Sequence, residues 1–237
     1  MREAKGDLIM ILGTHSEYPA DYVSSCVKNS DKAENVGGCI RSIPRGQGFI
    51  SRIINLVRND IFGCGRSEFR QGTDEPKYVV TVFGGCYKRE VFERIGLFNE
   101  KLERSSDIEF NLRLKEAGMK TLLVPSIVVD YYARTSLWEF LKHNFKDGKW
   151  SLLMTRYSKV KFGMRRLIPA LFVLFLPLTI LPYSMLCLAR VSQVAFSEHD
   201  WRYLFVMPFI FFGLHVSYGL GSLCAIPEYL GERGGDL

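Results

Sequence analysis

The first two thirds of the chain alternate short apolar runs of strand length with amphipathic segments of helical spacing. Residues 8–12 form a continuous apolar run followed by turn residues, and they predict a buried strand. The spacing over 106–117, with Gly118 after it, predicts the most regular helix of the chain. Strands that alternate with helices in this way indicate an α/β domain.

The other elements follow from the same patterns. Helices are predicted at 21–28, 49–62, 88–95 and 136–150, and strands at 34–38, 78–83, 121–124 and 127–130. Two glycine pairs, Gly37 with Gly38 and Gly84 with Gly85, are expected to end the strands that precede them. The segment 63–72 is expected to be a loop.

The last third of the chain has a different pattern. Residues 167–189 and 203–227 contain no Asp, Glu, Lys or Arg, over 23 and 25 residues. About 20 apolar residues are enough to cross a bilayer, so the two stretches predict a transmembrane helical hairpin. A pair of helices buried in a soluble protein is the alternative, although such helices seldom lack charge over this length.

Charge is distributed unevenly along the chain. Of 31 basic and 25 acidic residues, only three Arg and five acidic residues follow residue 166, so 1–166 carry 28 basic and 20 acidic residues, a net charge of +8. The basic residues in front of the first apolar stretch are Lys142, Lys146, Lys149, Arg156, Lys159, Lys161, Arg165 and Arg166. By the positive-inside rule, the α/β domain is expected to be cytoplasmic and the loop 190–202 to be outside.

A basic surface can bind nucleic acid or anionic lipid. The excess of Lys and Arg lies beside an apolar stretch, where contact with lipid headgroups explains it more simply. Membrane lipids are therefore expected as partners, and nucleic acid is not.

The six cysteines favour neither a disulfide framework nor a zinc site. They are Cys26, Cys39, Cys64, Cys86, Cys187 and Cys224. No CxxC pair and no His at zinc spacing accompanies them, so reduced, packed side chains are expected.

The segment 104–118, RSSDIEFNLRLKEAG, holds the most informative chemistry. Ser106 followed by Glu109 is the pattern of a capping box, and the positive end of a helix favours Asp107 in the first turn. A carboxylate held there and facing a cleft can instead accept a proton from a substrate hydroxyl. The spacing alone leaves both interpretations open.

Residues 84–150 closely resemble the second half of the catalytic domain of family 2 glycosyltransferases. The matching motifs, in family order, are GG, RxVFExIGxFxE, DxExNxR, YxxR and GxW. The resemblance covers about residues 5–155. The segments HSEYPADYVSSCVKNSDKAENVGG and HVSYGLGSL resemble the exopolysaccharide branch related to succinoglycan transferases, which also ends in membrane helices.

The resemblance implies a division of the chain into four parts. Residues 1–155 would be the C-terminal part of a GT-A glycosyltransferase domain, 156–166 a basic juxtamembrane segment, 167–228 two transmembrane helices, and 229–237 a tail.

The family uses a GT-A fold and an inverting single displacement, in which a carboxylate deprotonates an acceptor hydroxyl that attacks the anomeric carbon of a nucleotide sugar. Asp107 aligns with that base, and Ser106 stands where relatives carry a second acid. Glu109, Asn111 and Arg113 match the family pattern. All three are expected to have an orienting or structural role, with Glu109 and Arg113 on the acceptor and diphosphate side.

The resemblance assigns four more residues to the acceptor and diphosphate. Gly84 and Gly85 match the acceptor-side loop, where a missing Cβ permits close approach. Lys149 and Trp150 match an element that contacts the acceptor and diphosphate, since Lys can neutralise phosphate and Trp can stack on a sugar. A Trp anchor at the membrane interface is the alternative.

A metal site is also implied. The strand at 8–12 matches a family strand that ends in Asp-x-Asp or Asp-x-His and holds Mg²⁺ or Mn²⁺ on the donor diphosphate. Here Gly13 replaces the first ligand and His15 matches the second, so an altered metal site is expected. An ordinary turn is the alternative for His15.

In relatives, roughly a hundred residues that bind the nucleotide precede this strand, and a partner chain could supply that half. The implied function is transfer from a nucleotide sugar to a polysaccharide or lipid-linked oligosaccharide, in exopolysaccharide or cell-surface glycan synthesis. The site would face the cytoplasm at the inner or plasma membrane. The alternative is a non-catalytic membrane protein that serves as a binding or assembly module.

Overall fold

The computed structural model describes residues 3–65, 67–133, 136–158 and 163–231, apart from the side chain of Cys64. The strands are β1 (Leu8–Met10), β2 (Ser16–Glu17), β3 (Asn35–Pro44), β4 (Lys77–Val79), β5 (Phe83–Lys88) and β6 (Thr121–Ala133). The helices are α1 (Tyr22–Asn29), α2 (Phe49–Asn59), α3 (Ile61–Cys64), α4 (Glu68–Gln71), α5 (Arg89–Ile95), α6 (Ser106–Glu116), α7 (Leu137–Tyr157), α8 (Ile168–Leu174), α9 (Leu176–Ser197), α10 (Tyr203–Cys224) and α11 (Ile226–Leu230).

The chain forms two compact units. The first unit holds Met1–Arg45, Asn59–Asn99 and Ser106–Ala133, and the second holds Gly46–Arg58, Glu100–Ser105 and Arg134–Leu237. Strands and helices alternate in the first unit, which confirms the predicted α/β class.

The first unit is built on one mixed sheet. Its strands lie in the order β1, β5, β3, β6 and β2, and β4 pairs with the start of β6 on the same edge as β2. β3 and β6 are parallel, and the other pairs are antiparallel. The sheet therefore brings the end of β1 beside the start of β5, where the ring of Phe83 also lies 5.8 Å from that of Tyr131 in β6.

Helices cover both faces of this sheet. On one face, Tyr22 and Cys26 of α1 pack with Cys86. On the other, Phe92 of α5 and Phe110 of α6 pack with Tyr87. Cys86 and Tyr87 are consecutive in β5 and serve opposite faces because side chains alternate along a strand. Val91 and Phe92 of α5 are buried, whereas Val23 and Val27 of α1 are 56% and 50% exposed, so only Tyr22 and Cys26 of that helix face the core.

The predicted strand ends at the two glycine pairs are wrong. β3 continues through Gly37 and Gly38 to Pro44, because a Cβ on Gly38 would collide with the main chain of Ile127 in β6 and only glycine allows this approach. Gly84 and Gly85 lie inside β5, and the strand predicted at 78–83 is replaced by β4 and β5.

Three other boundaries differ from the prediction. The two strands around Pro125 form a single strand, β6, whose register with β3 shifts there. The helix predicted at 49–62 divides into α2 and α3 at Asp60, whose side chain caps α3 by accepting a bond from Phe62 N–H at 2.8 Å. The loop predicted at 63–72 contains α4, and Arg66 lies outside the described residues.

The second unit is organised around α10. Helices α7 and α10 run in the same direction, as contacts at both ends of α7 show. Near the start of α7, Leu141 Cδ2 lies 3.0 Å from the position of a Cβ on Gly213, in the middle of α10, and at the end of α7 the hydroxyl of Tyr157 lies 3.5 Å from the carboxylate of Glu228, which follows α10. Their main chains touch, since a Cβ on Gly148 would collide with the carbonyl of Tyr218. The predicted helix 136–150 is thus present and extends to Tyr157.

Two helices, Leu176–Ser197 and Tyr203–Leu230, are long and apolar enough to cross a membrane, a test that the core helix of a soluble protein also passes. α9 is the more exposed, with Leu178 77%, Leu181 75% and Phe196 82% accessible. This arrangement is consistent with a membrane-anchored α/β domain.

The apolar stretches begin and end elsewhere than predicted. The first divides at Phe175 into α8 and α9, and α9 continues past Arg190 to Ser197, so the loop predicted to start at residue 190 is wrong. The loop instead lies between Ser197 and Tyr203, and the ring of Tyr203, the first residue of α10, stacks on that of Phe49 in α2 with centroids 5.5 Å apart. Residues 159–162 of the basic segment, including Lys159 and Lys161, and residues 232–237 of the tail lie outside the described residues.

The five cysteine side chains that the structure describes are all free thiols, as predicted. Cys26, Cys39, Cys86 and Cys187 are buried, whereas Cys224 is exposed at the end of α10 and is not packed as predicted.

Candidate functional site

Two tyrosines join the turn after β1 to the start of β5. The N–H of Gly13 donates to Tyr18 Oη at 2.8 Å, and the hydroxyl of Tyr22 donates to the carbonyl of Gly84. The two rings meet edge to face with centroids 4.8 Å apart. The turn that carries Gly13 therefore lies beside Gly84.

Gly84 and Gly85 occupy positions that exclude a side chain. Gly84 has a φ of 61°, in the left-handed region, and a Cβ there would lie 2.6 Å from Tyr22 Oη. A Cβ on Gly85 would lie 2.5 Å from the ring of Tyr87 and 2.8 Å from Asn35 Oδ1. The main chain can therefore lie directly against its neighbours at both positions.

Asp107 lies in the first turn of α6 with its side chain exposed. Its carboxylate makes no hydrogen bond or ion pair within the parts of the chain that the structure describes, while its main-chain carbonyl accepts a bond from Asn111 Nδ2 at 2.9 Å. Asp107 is thus an accessible proton acceptor on a fixed main chain.

The hydroxyl of Tyr87 lies in a buried environment behind Asp107. Burial raises the pKa of Tyr87, and the charge of Asp107 raises it further, although hydrogen bonding with the side chains of Asn111 and Asn35 acts in the opposite direction. Tyr87 is therefore a neutral phenol at physiological pH. Its hydroxyl donates to Asn111 Oδ1 at 3.2 Å.

Glu109 is 2% exposed and forms a bidentate ion pair with Arg113, with Nε to Oε1 at 2.8 Å and Nη2 to Oε2 at 3.0 Å. Arg113 also donates to the carbonyls of Ile95 and Leu97 at the end of α5. α6 begins at Ser106, so Ser106 lies inside the helix rather than at the N-cap of the predicted capping box. The pair joins α6 to the end of α5.

His15 is exposed in the turn between β1 and β2, and its carbonyl accepts a bond from Tyr132 N–H at 3.2 Å. Within the described residues, no three His, Cys, Asp or Glu side chains converge as a metal site would require. Gly13 offers only its main chain. The described side chains around His15 therefore do not form a ligand set for Mg²⁺ or Mn²⁺.

Lys149 and Trp150 belong to α7, in the second unit. Lys149 forms an ion pair with Glu228 at 2.8 Å, and this hydrogen bond raises the pKa of Lys149. The ring of Trp150 lies 6.3 Å from that of Tyr157. Both side chains thus have neighbours within their own helical unit.

Tyr18 and Tyr22 hold the turn at Gly13 beside Gly84, while Asp107 is connected to Gly85 only indirectly, through the side chains of Asn111 and Asn35. Glu109 and Arg113 lie one turn further along α6. Of these residues, Asp107 supplies an exposed carboxylate, the group that could accept a proton from a bound ligand.

No protein-family model matches the chain. The chain is 27% identical, over 235 aligned residues, to the dolichyl N-acetyl-alpha-D-glucosaminyl phosphate 3-beta-D-2,3-diacetamido-2,3-dideoxy-beta-D-glucuronosyltransferase of Methanococcus voltae. That relative is a glycosyltransferase. The alignment covers 92% of this chain and 71% of the relative.

Sequence reasoning missed several residues of this region. Tyr18 and Tyr22 hold the two turns together, and Asn35 and Tyr87 lie beneath Gly85 and Asp107. One signal was available for Asn35: it is a polar residue that precedes the apolar and glycine positions of a buried strand, where an amide needs a partner. No local signal marks Tyr18.

Proposed function

We propose that this protein is a membrane-associated glycosyltransferase that moves a sugar from a nucleotide-sugar donor to a lipid-linked acceptor, with Asp107 as the catalytic base. The observation that carries the proposal is the exposed, unpaired carboxylate at the start of α6, in a chain aligned over 92% of its length with a glycosyltransferase. The name of that relative specifies a dolichyl-linked acceptor.

The proposed reaction is an inverting displacement on a GT-A fold. The acceptor hydroxyl oxygen forms a bond to the anomeric carbon of the donor, and the bond from that carbon to the nucleoside diphosphate breaks. The leaving group departs with the electron pair, and the hydroxyl proton passes to Asp107. A positioned general base typically contributes about 10²–10⁴-fold to the rate.

The other residues would bind the substrates or support the site. Gly84 and Gly85 would let the acceptor approach the main chain. Glu109 and Arg113 support the site by holding α6 against the end of α5, since each is already bonded to the other. For Lys149 and Trp150 we propose contacts with the diphosphate and a sugar ring; Lys149 would have to exchange Glu228 for phosphate.

The membrane setting supports a lipid-linked substrate. Two long apolar helices adjoin a basic segment, so a lipid-linked glycan and the anionic headgroups around it would meet the protein at the same surface. We propose the cytoplasmic side, because the positive-inside rule favours it. Exopolysaccharide or another cell-surface glycan is the proposed product.

The test uses the full-length protein in nanodiscs with a dolichyl phosphate-linked N-acetylglucosamine and a panel of nucleotide sugars, with products read by mass spectrometry. We expect one donor to extend the acceptor by one sugar, with inversion at the anomeric carbon by NMR. Asp107→Asn is expected to lower kcat at least about 100-fold. Glu90→Gln, which changes an exposed carboxylate in the first turn of α5, is the control and should change kcat less than twofold.

Unchanged turnover by Asp107→Asn would refute the assignment of the base. If the folded wild-type protein transferred no sugar from any donor, the proposal that it is a glycosyltransferase would be wrong. Donor binding without transfer would then favour the binding or assembly module.

A further inference from the structure

The side chain of Asn111 uses its full hydrogen-bonding capacity inside the first unit. Its Nδ2 donates to Thr81 Oγ1 at 3.1 Å and to the carbonyl of Asp107 at 2.9 Å. Its Oδ1 accepts from Asn35 Nδ2 at 3.0 Å and from the hydroxyl of Tyr87 at 3.2 Å. An amide has two donor hydrogens and two acceptor lone pairs, and all four are used here.

These four bonds connect segments that are distant in the chain. Asn35 begins β3, Thr81 lies in the connection before β5, Tyr87 lies in β5, and Asp107 lies in the first turn of α6. Asn111 is 1% exposed, and Asn35 is fully buried. A buried polar network in which one member has every bond made fixes the geometry of its members, because any displacement leaves a donor or acceptor without a partner.

Asp107 has few other constraints. Its carboxylate has no partner within the residues that the structure describes, so its location follows from its main chain and rotamer. That main chain lies in the first helical turn, where the amide groups lack intrahelical partners. The residue two positions earlier, Ser105, has a φ of 62°, in the left-handed region that non-glycine residues rarely adopt. The bond from Asn111 to the carbonyl of Asp107 therefore stabilises the helical turn that follows the left-handed conformation at Ser105.

We propose that Asn111 is a positioning residue for the transfer reaction: through Thr81, Tyr87 and Asn35 it locks the main chain of Asp107 onto the sheet, and so sets the distance between the Asp107 carboxylate and an acceptor held at Gly84 and Gly85. This proposal rests on the proposed function. The link to Gly85 is direct, because a Cβ on Gly85 would lie 2.8 Å from Asn35 Oδ1.

A merely structural role makes a different prediction. If Asn111 served the fold alone, its loss would lower stability while the molecules that remain folded turned over at the normal rate. If it positions the base, folded molecules react slowly although they bind both substrates normally. A displacement of about 1 Å at a reacting group can cost about 10²-fold in rate.

The experiment compares kcat and KM of Asn111→Ala, Thr81→Val and Thr81→Ser in the full-length protein in nanodiscs, each normalised to its folded fraction. We expect Asn111→Ala to lower kcat about 10- to 100-fold and to change each KM less than about threefold. Thr81→Val removes the hydroxyl that accepts from Asn111 and should lower kcat several-fold, whereas Thr81→Ser keeps a hydroxyl there and should retain most of the rate.

Asn29→Ala is the matched control. Asn29 Nδ2 donates to the carbonyl of Ser25 at 2.9 Å, which is the same bond to the fourth preceding residue, but in α1. Its loss should leave kcat unchanged. If Asn111→Ala does not fold, the difference in kcat between Thr81→Val and Thr81→Ser tests the positioning role instead.

Normal kcat in folded Asn111→Ala, or equal rates for Thr81→Val and Thr81→Ser, would overturn the positioning role. Those results would leave the proposed function intact as long as Asp107→Asn is inactive. Activity in Asp107→Asn would instead overturn the proposed function itself, whatever the Asn111 variants do.

Discussion

Glu109 and Arg113, one turn apart on α6, form a bidentate ion pair whose carboxylate partner is 2% exposed. Arg113 carries this pair to the end of α5 through bonds to the carbonyls of Ile95 and Leu97. The helix that presents Asp107 is therefore fastened at two levels, by Asn111 near its start and by Arg113 further along.

Replacement of Glu109 by Gln is expected to destabilise the protein by about 3 kcal/mol, because it leaves the Arg113 guanidinium largely buried without a counter-charge. Urea unfolding in detergent would measure the change. Glu68→Gln is the control, because its ion pair with Lys77 is exposed at 41% and 56% and should be worth less than about 1 kcal/mol. Equal losses for the two variants would show that burial does not strengthen the Glu109 pair.

Stability is expected to fall at alkaline pH partly because of Tyr22. Burial raises the pKa of Tyr22 above its ordinary value of 10.0. As pH rises past that value, the unfolded chain loses this proton while the folded chain retains it, so the free energy of unfolding decreases with pH. The contribution of Tyr22 is fully present below pH 10 and is lost as pH rises towards the folded-state pKa.

The measurement is the free energy of unfolding as a function of pH from about 8 to 11. Tyr22→Phe should decline less steeply above pH 10 than the wild type. Tyr78→Phe, which changes a tyrosine that is 54% exposed on β4, serves as the control. Parallel curves for wild type and Tyr22→Phe would contradict the expectation.

Gly85→Ala is expected to cost about 1–3 kcal/mol, because the new Cβ would press on the ring of Tyr87 and on Asn35 in a closely packed sheet. Gly48→Ala is the matched change, since nothing lies within 4 Å of the position of its Cβ. Thermal unfolding followed by circular dichroism would distinguish them. A Tm for Gly85→Ala as high as that for Gly48→Ala would mean that β5 can shift away from Asn35.

Gly148→Ala is expected to lower Tm by about 5 °C or more, because its Cβ would collide with the carbonyl of Tyr218 and force α7 away from α10. Gly213→Ala tests the same helix pair more gently, since its Cβ would meet only the flexible end of Leu141 at 3.0 Å. The two variants should differ clearly in detergent. Similar Tm values would refute the close main-chain contact.

The helices of the first unit could be predicted from local pattern because their apolar spacing and stop signals agree. α5 and α6 lie within one residue of their predicted bounds, and each ends before a glycine with positive φ, Gly96 and Gly118. The strand boundaries at glycines failed for a tertiary reason. Gly38 and Gly84 read locally as strand ends, but each is required by a neighbour distant in the chain, Ile127 and Tyr22.

The candidate site was predictable only in part for the same reason. Asp107 is marked by its position at a helix start, and Gly84 and Gly85 are marked as a pair. Their connection through Asn35 and Asn111 spans 76 residues of sequence and has no local signature. Only the sheet, which sets β3 beside β5, places these amides within hydrogen-bonding distance.

The parallel course of α7 and α10 limits how lipid can surround the apolar helices. Lys142 and Lys146 are exposed on α7, whose Leu141 and Phe145 touch α10 at Gly213 and Gly221. Hydrocarbon that encircled α10 at this level would have to cover both ammonium groups, each at a cost of about 3 kcal/mol near the bilayer centre. Acyl chains would therefore approach the apolar helices on the side away from Lys142 and Lys146, where α8, α9 and α10 expose Leu171, Leu178 and Phe209.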